Sequence, residues 1–327
     1  MPTLNGTSGN DNLIQPSNGL SGFIINGFAG DDTIQLLRND DFGGDNTVDA
    51  GEGNDTVFNT FEGGNLVTLG AGNDTYIGTG FASFSSFDTV LAGAGNDKIA
   101  VSTFFSEYFG EAGNDTFVSV GWENVFNGGA GIDTVDYRAR SQDSVLGGTG
   151  VNIELDTGLA RTGAIRTETL ISIESAIGTE LADDIFGSAV NNRLSGAGGN
   201  DRIAGLDGND VLTGGRGNDQ LEGGVGHDTF VFDIAASNAH ADVIFDFSVA
   251  DDTMKLKKSL FINMGPAVEA GEFRIGAAAA DANDHLIYNS ANGRLFFDAD
   301  GDGGVAARLF ATLTTGLALT SADFVLF

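Results

Sequence analysis

Six consecutive nine-residue segments between Gly178 and Val231 repeat one pattern of glycine, aspartate and apolar residues. Glycine permits the left-handed backbone of a tight turn, and a single apolar residue per repeat suits a very short strand with one inward side chain. This repeat therefore predicts short strands joined by glycine turns. The sixth position of the segments is occupied by Asp183, Asn192, Asp201, Asp210, Asp219 and Asp228, and the eighth by Ile185, Leu194, Ile203, Leu212, Leu221 and Phe230.

Four of these segments approach the pattern G-G-x-G-x-D-x-apolar-x, in the stretches GAGGNDRI, GLDGNDVL, GGRGNDQL and GGVGHDTF. The pattern resembles the RTX (hemolysin-type calcium-binding repeat) family. The resemblance implies an all-β fold, a parallel β-roll or β-solenoid in which two nonapeptides make one coil. It also implies that calcium ions lie between successive turns along one edge of the coil stack.

A looser version of the repeat occupies the N-terminal region. Weaker half-repeats alternate with turn aspartates, and an apolar residue follows two positions after each site, for example at Ile34, Tyr76 and Phe117. We expect residues 1–136 to form an irregular solenoid of six coils, with one glycine-rich, Asp-bearing edge and one irregular edge. The segment with Asn10, Asp11 and Leu13 should start or cap it.

The rest of the chain divides by composition. Residues 137–177 contain alternating segments such as VNIEL and are expected to be connecting strands, and residues 178–231 form the strict calcium β-roll. Residues 232–327 lose the glycine repeat and contain longer strand-like runs. This tail resembles the C-terminal region of RTX proteins that carries the type I secretion signal, which implies type I secretion machinery as a partner. A capping β-domain is the alternative interpretation.

Calcium binding is the main chemical prediction. Hard cations take several oxygen ligands and mix carboxylates with backbone carbonyls, which glycine-rich turns leave accessible. Turns 18 residues apart should stack, which pairs Asp201 with Asp219 and Asp210 with Asp228. Asn192 carries an amide, so its site should be weak or empty. The candidate metal residues are Asp32, Asp55, Asp74, Asp97, Asp115, Asp133, Asp183, Asp201, Asp210, Asp219, Asp228, Gly196, Gly205, Gly214, Gly215, Gly217, Gly223, Gly224 and Gly226.

The composition excludes several other classes of function. The formal net charge is −31, which makes nucleic acid and anionic membranes improbable partners. The chain has no Cys, so disulfides and thiolate chemistry are impossible. No apolar run approaches the roughly 18 residues of a transmembrane segment. The N-terminus MPTLNGTSGNDNL lacks the pattern of a secretory signal peptide.

Signals for an enzyme are weak. The three histidines are not in an H-E-x-x-H arrangement, and no nucleophile elbow or P-loop occurs. One cluster could line a polysaccharide groove, although a strand exit with solvated arginines is the simpler interpretation. It comprises Asp136, Tyr137, Arg138 and Arg140. The stretch D-x-D-x-D-G at 298–303 opens like an EF-hand loop but has Leu309 at the twelfth position, so we interpret it as an acidic turn.

These observations favour a secreted or extracellular protein that folds on extracellular calcium, and association with the cell surface is compatible with them. Its expected role is that of a structural, surface-layer, matrix or adhesion component, with self-assembly or cell-surface polysaccharide as possible interactions. The alternative is an extracellular polysaccharide-modifying enzyme of lyase or epimerase type that uses the N-terminal solenoid. A membrane-active secreted protein is a third hypothesis, and it lacks the expected amphipathic helices.

Overall fold

The computed structural model describes residues 1–16, 22–37, 44–60, 63–79, 87–142, 149–163 and 166–327. They form two compact units, the first made of residues 1–145 with 157–175 and the second of residues 146–156 with 176–327. Both units are built from short parallel strands stacked coil upon coil, so the prediction of an all-β parallel solenoid is confirmed.

The strands of the N-terminal coils are β1 (Thr3–Asn5), β2 (Asn12–Ile14), β3 (Ile24–Asn26), β4 (Thr33–Leu36), β5 (Thr47–Glu52), β6 (Thr56–Asn59), β7 (Leu66–Ala71), β8 (Thr75–Gly78), β9 (Thr89–Ala94), β10 (Lys98–Val101), β11 (Glu107–Ala112), β12 (Thr116–Ser119), β13 (Val125–Ala130) and β14 (Thr134–Asp136). A short 3-10 helix, Arg138–Gln142, follows them.

The later strands are β15 (Val151–Glu154), β16 (Leu159–Thr162), β17 (Arg166–Ile171), β18 (Ser175–Ile177), β19 (Asp184–Ser188), β20 (Arg193–Ser195), β21 (Arg202–Asp207), β22 (Val211–Thr213), β23 (Gln220–Val225), β24 (Thr229–Phe232), β25 (Asp242–Ile244), β26 (Thr253–Leu256), β27 (Phe273–Ile275), β28 (Leu286–Asn289), β29 (Arg294–Phe297), β30 (Arg308–Thr312) and β31 (Phe324–Leu326). A second 3-10 helix spans Ser321–Asp323.

Alternate strands of the first unit form two parallel ladders. Strands β1, β3, β5, β7, β9, β11 and β13 pair in register on one side, and β2, β4, β6, β8, β10, β12 and β14 pair on the other. The pair β1 and β2 makes a coil before the six that the repeat predicted, which places the segment around Asp11 inside the solenoid as its first turn.

The interior of the first unit is filled by the apolar residue that follows each turn position. Side chains such as Ile34, Tyr76 and Phe117 are completely buried. Aromatic rings also contact one another at tilted angles, with centroids 6.0 Å apart for Tyr76 and Tyr108 and 5.2 Å apart for Phe117 and Phe126. Strands alternate buried and exposed positions, as half-buried strands should. The repeat therefore sets both the coil register and the core.

The second unit continues the same plan and then departs from it. Strands β15, β19, β21, β23, β25 and β30 form one parallel ladder, and β20, β22, β24, β26 and β31 form the other. In the C-terminal region β28, β29 and β30 pair antiparallel. In the first unit the hairpin of β16 and β17 is also antiparallel, so the segment predicted to connect the two blocks includes a strand reversal.

Candidate metal centre

The turn aspartates of the first unit form one continuous hydrogen-bonded ladder. The backbone N–H of each turn aspartate donates to the Oδ1 atom of the aspartate in the following coil, over 2.7–2.8 Å. The ladder runs from the N–H of Asp11 to the carboxylate of Asp133. One oxygen of each carboxylate therefore holds two coils in register without any help from a cation.

The second unit carries two such ladders, one on each edge. The first links Asp183, Asp201, Asp219 and Asp242, and the second links Asn192, Asp210, Asp228 and Asp252. The residues 18 positions apart stack as predicted. Asp242 and Asp252 were missed by the sequence analysis because they follow the preceding aspartates by 23 and 24 residues. The apolar residues Ile244 and Met254, two positions later, were the available signal.

The second carboxylate oxygen has a different environment. Oδ2 is buried and has no hydrogen-bond partner in ten of the turn aspartates that the structure describes, namely Asp32, Asp55, Asp74, Asp97, Asp115, Asp133, Asp201, Asp210, Asp219 and Asp228. Buried polar atoms in proteins are almost always hydrogen-bonded, and an unpaired carboxylate oxygen is costly to bury. A row of such atoms indicates a missing cationic partner.

Glycine five positions before the aspartate leaves space beside this oxygen. A Cβ atom added to Gly196 would lie 2.0 Å from Oδ2 of Asp201 and 2.7 Å from the carbonyl oxygen of Gly214 in the next coil. The arrangement recurs at Gly205, between Oδ2 of Asp210 and the carbonyl oxygen of Gly223. The vacant volume is therefore bordered by a carboxylate oxygen and a backbone carbonyl oxygen.

This donor set fits calcium. Calcium takes oxygen ligands only and accepts carboxylates and backbone carbonyls in flexible geometry. In the described residues no three His, Asp or Glu side chains converge on one point, and a main-chain carbonyl lies beside the Oδ2 atom at the turns of Asp32, Asp115, Asp133, Asp201 and Asp210. The turn aspartates and the glycines five positions before them would hold the ion, which would supply the positive charge that the carboxylates lack.

The protonation equilibria of the turn aspartates show how unfavourable these charges are. Burial raises the pKa of the carboxyl groups of Asp74, Asp97, Asp115, Asp133 and Asp210 to about 6. Burial, with added repulsion from Asp219, Asp183 and Asp242, raises the pKa of Asp201 to about 9. Desolvation disfavours the ionised form when no counter-charge is present, so each site favours either a proton or a cation.

Two of the predicted sites have protein partners instead. Oδ2 of Asp183 accepts the backbone N–H of Thr179 at 2.6 Å, and the Thr179 hydroxyl donates to the same carboxylate. The side-chain oxygen of Asn192 accepts the N–H of Ser188 at 2.6 Å. Asp183, although it carries a carboxylate, therefore resembles Asn192 rather than the open turns.

Three turns of the first unit differ at the position of the vacant volume. The residue five positions before Asp55, Asp74 and Asp97 is Ala50, Leu69 and Ala92, respectively, and each of these side chains is completely buried. A side chain therefore stands where the other turns have glycine. The Oδ2 atoms of these aspartates are nevertheless unpartnered as well.

The opposite edge of the first unit is stabilised without carboxylates except at one position. Its ladder uses the side-chain oxygens of Asn46, Asn65, Asp88, Ser106 and Asn124, which accept backbone N–H groups from the preceding coil. Asp88 also accepts hydrogen bonds from Asn59, Asn65 and Tyr76. The side-chain oxygens of this edge therefore accept hydrogen bonds from the protein itself.

The arginine and tyrosine cluster at the end of the first unit is mostly buried. Arg140 is fully buried, forms an ion pair of 2.9 Å with Glu168, and donates to Thr162. Tyr137 donates to Glu168 at 2.7 Å. Of the two arginines only Arg138 is exposed, and it pairs with Asp136 at 2.6 Å. Tyr137 and Arg140 therefore form a buried ion-pair network.

The acidic turn at 298–303 has a different geometry from the repeat turns. The N–H of Asp300 donates to Asp298, and the N–H of Val305 donates to Oδ2 of Asp300. Oδ1 of Asp300 is buried without a partner. The three carboxylates do not converge on one point, so the arrangement is that of a self-bonded turn, as the sequence suggested.

Comparisons with known proteins agree with this geometry. The sequence profile of the family described as RTX calcium-binding nonapeptide repeat matches in four copies, at residues 43–59, 85–100, 177–212 and 195–230. The comparison with curated proteins found no match. None of the helices in the described ranges has the length and apolar character to span a bilayer.

Several solved structures are similar to parts of the chain. The AlgE6R3 subunit of the mannuronan C5-epimerase from Azotobacter vinelandii shares 26% identity over 45% of this chain and 79% of its own, with a TM-score of 0.30. The AlgE6R2 subunit of the same enzyme shares 25% identity over 45% and 89%, with a TM-score of 0.34. The extracellular lipase LipA from Serratia marcescens shares 20% identity over 75% and 41%, with a TM-score of 0.27.

The four profile matches contain the turn aspartates Asp55, Asp97, Asp183, Asp201, Asp210, Asp219 and Asp228, and most of these have the unpartnered carboxylate oxygen described above. Sequence pattern, coil geometry and carboxylate environment therefore agree. These segments of the chain are therefore RTX calcium-binding nonapeptide repeats.

Proposed function

We propose that this chain is a secreted protein that folds when it meets extracellular calcium and then acts outside the cell as a structural, surface-layer, matrix or adhesion component. The observation that carries the proposal is the row of buried Oδ2 atoms without partners. Ionised carboxylates stacked in successive coils repel one another and oppose folding. A divalent ion between coils removes that opposition.

The calcium concentration sets where folding occurs. Extracellular calcium modules bind with dissociation constants of about 10⁻⁴–10⁻³ M, so calcium-poor cytosol leaves such a chain unfolded. Because binding sites formed by stacked coils do not exist in the unfolded chain, binding free energy becomes folding free energy. This mechanism is compatible with export of an unfolded chain by type I secretion machinery, which we include in the proposal for residues 232–327.

A structural role is favoured over catalysis by the position of the candidate groups. The polysaccharide-modifying alternative placed Asp136, Tyr137, Arg138 and Arg140 on a groove. Tyr137 and Arg140 are buried against Glu168, and of the two arginines only Arg138 is exposed. Self-assembly and contact with cell-surface polysaccharide remain the interactions that we propose for the folded protein.

Calcium titration of the purified chain, followed by far-ultraviolet circular dichroism, tests the folding proposal. We expect little β-structure in excess chelator and a cooperative gain of β-structure as calcium reaches the millimolar range. A spectrum with full β-structure in chelator would refute calcium-dependent folding. Electron microscopy of the same samples tests the structural role, because ordered sheets or fibres are expected at high calcium, and persistent monomers would argue for a soluble binder.

A further inference from the structure

The turns with an unpartnered carboxylate oxygen share a second feature. The residue four positions before each of these aspartates has a positive φ angle. Glycine occupies this position in most cases, but Phe28 (φ 78°), Glu111 (φ 70°), Ala197 (φ 68°) and Leu206 (φ 81°) adopt the same conformation. Residues with side chains rarely enter this region. The left-handed conformation is therefore a requirement of these turns and does not arise simply from the presence of glycine.

A second class of turn has serine or threonine at this position. Thr7, Thr179, Ser188 and Ser248 precede Asp11, Asp183, Asn192 and Asp252 by four residues, and their φ angles lie outside the left-handed region. In each case the backbone N–H of the hydroxyl residue donates to the turn side chain, over 2.5–2.8 Å. The hydroxyls of Thr7, Thr179 and Ser188 lie 2.9, 3.0 and 3.2 Å from the same side chains.

The two classes have different needs for a cation. In the hydroxyl turn of Asp183, protein N–H groups donate to both carboxylate oxygens, from Val151 to Oδ1 and from Thr179 to Oδ2. In the left-handed turns no protein donor reaches Oδ2. Serine and threonine favour local side-chain to backbone hydrogen bonds of this kind, and branching at Cβ disfavours positive φ for threonine.

We propose that the residue four positions before the turn carboxylate determines whether a turn requires calcium, and that the turns preceded by serine or threonine close without it. The inference rests on the proposed calcium-dependent folding. Thr7, Thr179 and Ser188 lie in the turns whose backbone N–H groups, those of Asp11, Asp183 and Asn192, begin the three ladders. Each ladder thus starts from a turn whose geometry does not depend on an ion, and the calcium-dependent coils add to it.

The first test opens a closed turn. Thr179→Gly removes the hydroxyl and allows the left-handed conformation, so the full-length variant should bind one more calcium ion than the natural chain at saturating CaCl₂. Gly178 already leaves space beside Oδ2 of Asp183, next to the carbonyl oxygen of Gly196. Thr315→Gly, at an exposed loop position, is the matched control and should leave the ion count unchanged. Equilibrium dialysis with elemental analysis gives the count.

The second test closes an open turn. Ala197→Thr introduces the hydroxyl residue four positions before Asp201, and the variant should bind one ion fewer. Ala197→Gly keeps the left-handed conformation and should keep the full count. Val225→Thr is a further control. It places a threonine at an exposed position of the turn of Asp228, one residue after Gly224, which is the site equivalent to Ala197, and this variant should also bind the full number of calcium ions.

The outcomes separate this inference from the folding proposal. If the natural chain binds no calcium, the folding proposal fails. If the natural chain binds calcium and the counts for Thr179→Gly and Ala197→Thr both equal the natural count, the inference fails while the folding proposal stands. If Ala197→Thr does not fold at any calcium concentration, Thr179→Gly decides, and an unchanged count for that variant overturns the inference.

Discussion

At the scale of single residues, the two oxygens of each turn aspartate have separate structural roles. Oδ1 accepts the N–H of the aspartate in the preceding coil, as Asp115 does for Asp97, and this bond fixes the coil register. Oδ2 has no partner in ten of these aspartates, and in most of them it lies beside a glycine. Register is therefore encoded by hydrogen bonding, and the dependence on a cation is encoded by the remaining charge.

The raised pKa values of the turn aspartates predict an unusual pH dependence for the calcium-free protein. Burial raises the pKa of Asp74, Asp97 and Asp210 to about 6 from the ordinary 3.8. Between these values the folded state binds more protons than the unfolded state, so stability falls as the pH rises through that window. In chelator, β-structure should therefore increase as the pH is lowered from about 7 to about 5.

Calcium should reverse this pH dependence, because protons compete with the ion for the same carboxylates. In saturating calcium the midpoint temperature of thermal unfolding should fall as the pH is lowered through the same interval. Circular dichroism at several pH values, with calcium and with chelator, measures both trends. A calcium-free sample that loses β-structure on acidification would contradict the assignment of unpaired buried carboxylates.

At the scale of the turn, the glycine five positions before the aspartate controls the space for the ion. Gly214 does not have a positive φ angle, so alanine fits its backbone, but a Cβ atom there would lie 2.4 Å from Oδ2 of Asp219. Gly214→Ala should weaken calcium binding at that turn by at least about tenfold, which corresponds to about 1.4 kcal/mol. Calorimetric titration of the full chain checks this.

The control for that substitution lies in the turn of Asp11, where Thr7 donates hydrogen bonds to the carboxylate. Gly9→Ala adds a Cβ with no neighbour within 4 Å, in the turn of Asp11. The calcium isotherm of this variant should match that of the natural chain. Equal isotherms for Gly214→Ala and Gly9→Ala would show that the space beside Oδ2 is not where calcium binds.

The buried ion pair at the end of the first unit predicts a stability effect that does not depend on calcium. Arg140 bonds Glu168, Ser119 and Thr162 and is fully buried, whereas the side chain of Arg138 is 57% exposed. Removing one partner of a buried pair costs about 3–5 kcal/mol because the other charge stays buried. Arg140→Met should lower the free energy of unfolding in calcium by this amount, as measured with urea, and Arg138→Met should have little effect.

Sequence was sufficient for the fold and for most of the ladder, because a fixed period places each aspartate and each inward apolar residue without reference to the rest of the chain. Asp242 and Asp252 could not be predicted from the repeat, because insertions before them break the period of 18 residues. Asp183 was not distinguished from Asp201, since both occupy the sixth position of the repeat. The difference lies in Thr179, whose N–H and hydroxyl satisfy the carboxylate only once the turn conformation is known.

At the scale of the whole molecule, the charge of −31 raises the question of whether any salt would permit folding. Dissolved salt screens exposed charges, with a Debye length of about 3 Å at 1 M, but screens buried charges much less. The turn carboxylates of Asp210 and Asp219 are completely buried. Sodium chloride should therefore relieve surface repulsion and leave the repulsion inside the ladders.

Magnesium should also fail to replace calcium, because it requires near-ideal octahedral geometry and retains several water ligands. The turns of Asp201 and Asp210 instead place a backbone carbonyl of the neighbouring coil beside Oδ2. We therefore expect that 1 M sodium chloride, or magnesium chloride at the calcium concentration that completes folding, produces little β-structure in a calcium-free sample. Circular dichroism of the protein in sodium chloride, in magnesium chloride and in calcium chloride decides the question. A full β-spectrum in sodium chloride would mean that general screening of the net charge, and not ion binding in the turns, controls folding.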